Sequence, residues 1–165
     1  LLTRHHLRQQ FATIEEHDTT LLDNINSAVN ERDTLLHLGD FALGGFKAIS
    51  LYRTLIKCRR ILLICGNHDH GRRGGQFLYG KLGEYFQGVY ASMVLPLPDE
   101  RYATLTHQPD RYRLPNIHGH SHSPSPVPYP GCVDVGVDAW AMKPVRLEKV
   151  LEVLYQYWKP QQEAT

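Results

Sequence analysis

Four apolar runs in this sequence stop abruptly at side chains able to bind a divalent metal. Leu35 to Leu38 meets Gly39-Asp40, and Ile61 to Cys65 meets Gly66-Asn67-His68-Asp69. Tyr102 to Thr106 meets His107, and Asn116 to His118 meets Gly119-His120-Ser121-His122. Mixed carboxylate, amide and imidazole donors suit borderline ions such as Mn²⁺, Fe²⁺ or Zn²⁺ better than Ca²⁺, which prefers oxygen alone. A carboxylate can bridge two ions while imidazoles and an amide oxygen complete each shell. Cys58, Cys65 and Cys132 are widely spaced and form no CxxC, which argues against a structural zinc knot and fits a reduced, cytosolic compartment. Each cluster alone has an ordinary explanation. Gly-Asp is a common turn, Asn-His-Asp a polar loop, and His107 a hydrogen-bonded core histidine. His118, His120 and His122 alternate as on a half-exposed strand. One plan recurring in the same context weakens those explanations together.

The elements that must position these residues alternate between helix and strand, as in an α/β or mixed layered fold. Sites in open α/β sheets form beyond the carboxyl ends of strands, where all four clusters fall. Thr13 and Glu16 make a capping box that opens a helix, with Ile14, Leu21, Ile25 and Ala28 as its apolar face through about Asn30. A second helix is expected from about Phe46 to Cys58, buried on Phe46, Ile49 and Ile56, and a weaker one from Leu78 to Phe86. Strands are expected at Leu35–Leu38, Ile61–Cys65, Tyr102–Thr106, Asn116–His118 and Val133–Val137. Ser123 to Gly131 carries four prolines and reads as an irregular rim loop after the histidine cluster. Leu147 to Trp158 is a last amphipathic helix, on Leu147, Val150, Leu151, Leu154 and Trp158. No repeat or linker divides the chain. Residues 1–152 are expected to form a single domain, with 153–165 as the end of the last helix and a tail.

The ordered set His37-Leu-Gly-Asp-Phe41, Gly66-Asn-His-Asp69, His107 and His118-Gly-His-Ser-His122 resembles the motifs of the calcineurin-like metallophosphoesterases. Val135-Gly-Val-Asp-Ala-Trp140 and Lys143-Pro-Val145 resemble the small stand-alone bacterial and phage members, and the resemblance spans about Phe11 to Val150. It implies layered mixed β-sheets flanked by helices, and two divalent ions, Mn²⁺ first, with Fe, Zn or Ni as alternatives. By the same resemblance Asp40 bridges both ions, Asn67, His107 and His120 complete the second ion's shell, and His122 reaches the first. His68 is the general acid or transition-state donor, and Asp69 orients it. In the family the first ion also takes an Asp and a His from an N-terminal DxH motif, which this sequence lacks. Aligning Thr3-Arg4-His5-His6 with that motif puts Arg4 in place of the Asp and needs a deletion before Phe11. The gap-free reading places the first residues downstream of the motif. The expected fold then lacks its first strand and exposes a sheet edge, and weak activity is expected.

Among 165 residues, 18 Lys and Arg against 17 Asp and Glu leave a formal charge of +1, which argues against a partner held mainly by bulk charge. With 42% hydrophobic and 21% charged residues the chain can bury a core. No apolar stretch approaches the roughly 20 residues of a membrane helix, so no membrane partner is expected. The expected function is a cytoplasmic, metal-dependent phosphoesterase acting on phosphomonoesters or phosphodiesters through a metal-activated hydroxide. Its expected partner is a phosphate-ester small molecule or nucleotide, with nucleic acid only as substrate. The alternative is a catalytically impaired metal-binding scaffold, or a fragment lacking the first metal site. Arg72 and Arg73, beyond the Asn-His-Asp cluster, are candidates to grip a substrate phosphate, against the plainer reading of a solvated glycine-rich loop.

Overall fold

The computed structural model describes residues 8–69 and 79–158. The Arg72–Arg73 segment lies outside them. Two sheets form the framework. In the first, β1 (Thr34–His37), β2 (Arg60–Ile64) and β3 (Gly88–Tyr90) pair in parallel in that order. In the second, β4 (Ser92–Pro96) is antiparallel to β5 (Tyr102–Thr106), and β5, β6 (Asn116–His118) and β7 (Cys132–Asp134) run parallel. Parallel pairing places the carboxyl ends of neighbouring strands side by side, and the chain's polar clusters follow those ends.

The helices are α1 (Ile14–Ala28), α2 (Gly45–Leu55), the short α3 (Tyr79–Leu82) and α4 (Leu147–Tyr157). The α1 capping box forms: Glu16 N–H donates to Thr13 Oγ1 at 3.1 Å, and the Glu16 carboxylate accepts from Ala12 N–H at 2.8 Å. The buried face of α1 shares Ile25 with the expected one and is otherwise shifted. Ile14 is 59% exposed, and Leu22, Ile25 and Val29 pack on the core beside the buried His17.

Strand β2 is buried on both faces, as a central parallel strand requires. Ile61 and Leu63 pack with Ile49, Ile56 and Phe86 on the side of α1 and α2. Ile64 joins Leu38, Leu105, Ile117 and Val133, closed over by Val150 and Leu154 of α4. Each such aliphatic side chain contributes about 1.5–3 kcal/mol on full burial. The expected helix over Leu78 to Phe86 is a single turn among the described residues, because Gly83 and the extended approach to β3 end it early. The expected strand over Val133 to Val137 stops at Asp134, and Val137–Trp140 coils into a 3₁₀ turn. Strands β3 and β4 were not expected. Val89 and Met93 are only part-buried, so their apolar pattern is weak. All three cysteines are buried free thiols. Among the described residues no helix is long and apolar enough to cross a membrane.

Candidate metal centre

The ends of β1 and β2 approach so closely that only glycine fits between them. A Cβ on Gly39, whose φ is +96°, would stand 2.3 Å from His107 Nδ1 and 2.7 Å from the Gly66 backbone. A Cβ on Gly66 would stand 2.2 Å from Asp40 Oδ1. Between these glycines the buried Asp69 carboxylate ties the two turns together. Its Oδ2 accepts from the N–H groups of Asp40 at 2.7 Å and Gly66 at 2.8 Å, and its Oδ1 from Phe41 N–H at 2.9 Å. The resemblance gives Asp69 the task of orienting His68. What its carboxylate holds here is the backbone that presents Asp40.

Asp40 is thereby aimed at His107 and His120. The three residues each offer one ligand atom, and those atoms lie within 4.8 Å of one another. His107 Nδ1 donates to the Leu38 carbonyl at 2.7 Å, because that oxygen can only accept. Its Nε2 then faces inward, 3.0 Å from Asn67 Oδ1, 3.0 Å from His120 Nδ1 and 3.4 Å from Asp40 Oδ2. In neutral His107 that nitrogen is a lone pair facing two oxygens, and of these three neighbouring atoms only His120 Nδ1 can donate to it. Without a metal the arrangement is satisfied by protonating the ring. Burial alone lowers the His107 pKa, but the bond to Asp40, the Leu38 carbonyl and the charges of Asp40 and Asp69 outweigh it and raise it above the ordinary value. A divalent cation answers the same electrostatic demand at the point where four donors converge, so the residues fit a metal.

The neighbouring shifts follow from the same geometry. Burial would raise the Asp40 carboxyl, yet the His107 contact and the His68 N–H, which donates at 2.8 Å, hold it below the usual range. Partial burial and the His107 charge lower His120. Strain is concentrated here too. Asp40, His120 and His122 have φ of 54°, 66° and 49°, three of the six positive-φ non-glycine residues among those described. Left-handed backbone costs on the order of 1–3 kcal/mol per residue, so the surrounding packing must hold these turns in place.

The other expected residues are placed as follows. Asn67 and His68 are exposed at the mouth of the cluster. His122 stands outside the group of Asp40, His107 and His120. Its Nδ1 lies 2.8 Å from Asp138 Oδ2, the kind of contact by which a carboxylate orients a ligating imidazole. Asp138 is in turn gripped by Arg8, through Nε to Oδ1 and Nη2 to Oδ2, both 2.9 Å. Burial would raise the Asp138 carboxyl, but His122 and Arg8 hold it far below the usual carboxylate range. Arg8 Nη1 also lies 3.0 Å from His17 Nε2. Sequence reasoning missed Asp138, Arg8 and His17 as parts of the site. The one available signal was an acidic residue just after β7, at the sheet edge where the clusters gather. Arg8 pairs with it across 130 positions, beyond any local pattern.

The chain is similar to an uncharacterised protein of Methanocaldococcus jannaschii, 29% identical over 155 residues, covering 87% of this chain and 78% of that protein. It also shares its fold with a crystallised protein of unknown function from Aquifex aeolicus. The TM-score is 0.65 at 21% identity, over 88% of this chain and 89% of the other. Residues 6–142 match the calcineurin-like phosphoesterases, most of the chain and all of the metal cluster. With the fold, the strand-end ligands and this match in agreement, the chain belongs to the calcineurin-like phosphoesterase family.

Proposed function

We infer that the protein hydrolyses phosphate esters, monoesters or diesters, with divalent metal held by Asp40, Asn67, His107 and His120. The convergence of the other three donors on His107 Nε2 supports the reading. Asp40 and His122, the latter oriented by Asp138, would hold a second ion. Mn²⁺ is the preferred ion, given mixed oxygen and imidazole donors. When bound, such ions supply Lewis acidity toward phosphoryl oxygens and acidify water to a nucleophile near neutral pH. The chain's own residues do the rest. Asp69 holds the Asp40 turn, and the Leu38 carbonyl fixes the His107 tautomer. The exposed His68 imidazole protonates the departing oxygen. Three buried free thiols fit a reducing, cytoplasmic setting.

The test is metal content by elemental mass spectrometry after Mn²⁺ loading and removal of free ion, alongside turnover of p-nitrophenyl phosphate and bis(p-nitrophenyl) phosphate. Retained metal and turnover, both lost in Asp40→Asn, are expected. Retained metal without turnover of either ester would replace the enzyme by a metal-binding scaffold. No retained metal would reject the site itself.

A further inference from the structure

A cavity of about 690 Å³ opens from the metal centre, within the range of small-molecule sites. Asn67 and His107 form its inner end, and the segment joining β5 to β6 forms its outer wall. That segment is a built rim. The fully buried Asn116 accepts from Asp110 N–H at 3.0 Å and donates from Nδ2 to the Thr104 carbonyl and Thr106 Oγ1. Asp110 accepts from Tyr112 N–H at 3.0 Å and from Arg113 Nε at 2.6 Å. The turn so fixed presents Tyr112, a fully exposed residue. Beside it the Arg111 guanidinium lies 3.7 Å over the Tyr129 ring, with no acidic partner among the described residues.

We propose that this cavity is a nucleotide subsite: the phosphoester sits at the metal centre, the base stacks on Tyr112, and Arg111 biases the rim toward anions. The proposal rests on the phosphoesterase reading and adds the substrate class to it. An anchored turn that displays a bare phenol ring leaves one aromatic face free, and a flat base is the group that such a face binds without regard to sequence. The lining favours this over a phosphopeptide or a lipid ester. Apart from Cys65, Ala91 and Pro109 it is polar, aromatic or glycine, with no branched aliphatic side chain to hold an apolar group.

Calorimetric binding to the full Mn²⁺-loaded chain tests it, using phosphonate analogues of adenosine 5′-monophosphate and of ribose 5-phosphate. A methylene replaces the ester oxygen in both, so neither is hydrolysed. The adenosine compound is expected to bind about fivefold tighter or more. Tyr112→Ala should abolish that advantage without changing affinity for the ribose compound, and Tyr112→Phe should keep it. Equal affinity of the two compounds, or an advantage that survives Tyr112→Ala, would overturn the proposal. Turnover of both p-nitrophenyl phosphate and bis(p-nitrophenyl) phosphate is read in parallel. Base discrimination without turnover would reject hydrolysis and keep the subsite, whereas turnover without discrimination would reject the subsite alone.

Discussion

At the scale of single residues, protonation decides what the centre can do. His68 contributes its backbone N–H to Asp40 and leaves its imidazole in solvent. His68→Ala should therefore retain metal while losing turnover by about 10²–10⁴-fold, as for other general acids, provided leaving-group protonation limits the rate. Metal content and steady-state rates on the same sample check this. Asp134 is a different case. It is fully buried at the end of β7, its Oδ1 accepts from Gly136 N–H at 2.7 Å, and its Oδ2 has no hydrogen-bond partner among the described residues. Burial first, and the Asp138 charge after it, push its pKa from 3.8 up to about 6. An acid whose folded pKa lies above its unfolded value opposes folding once ionised. Its penalty is absent below about pH 4, grows as pH rises to about 6, and is constant beyond. Asp134→Asn removes that ionisation. The stability difference between variant and parent should grow by roughly 1–3 kcal/mol across that window and then stay flat, read by denaturant unfolding at each pH.

At the scale of elements, the turns after strands set the ligand geometry, and two glycines set the turns. Gly39→Ala adds a methyl where His107 Nδ1 already stands, at a backbone angle that side chains avoid. It should expel His107 from the cluster. Metal retention should fall to background with a stability loss of about 1–3 kcal/mol, measured by elemental analysis and thermal unfolding. The 3₁₀ turn after β7 matters through Asp138. Asp138→Asn keeps the shape but lets an amide face His122 Nδ1, so metal affinity should fall about 10–100-fold, read by competitive chelator titration. Strands β1 and β2 were legible as compact apolar runs ending at glycine, and β5 and β6 as short β-prone stretches ending at the histidine clusters. Strands β3 and β4 were not, since Val94 is 59% exposed and Tyr90 40%, and edge positions need little apolar pattern. The face of α1 was misassigned because periodicity fixes which residues share a side, not which of two adjacent sides meets the sheet. Asp40, Asn67, His107 and His120 were legible as candidate ligands from their chemistry, and the structure brings them together. The carboxylate behind His122 was not, because its role appears only when β7 lies beside β6.

At the scale of the whole molecule, the centre belongs to neither sheet. Asp40 and Asn67 come from the ends of the first sheet, and His107 and His120 from the ends of the second. Metal binding should therefore stabilise the fold as a unit. At a free Mn²⁺ concentration 100 times the dissociation constant, linkage gives about 2.7 kcal/mol, visible as a rise in Tm that chelation reverses. That rise should be absent in His107→Ala. The bond from His107 Nδ1 to the Leu38 carbonyl carries one more consequence. It ties the end of β5 to the end of β1 at 2.7 Å, so neither sheet can slide past the other without breaking it. The nitrogen-15 resonance of that ring is therefore a gauge of sheet docking, and solvent exchange of its proton clocks how often the two halves part.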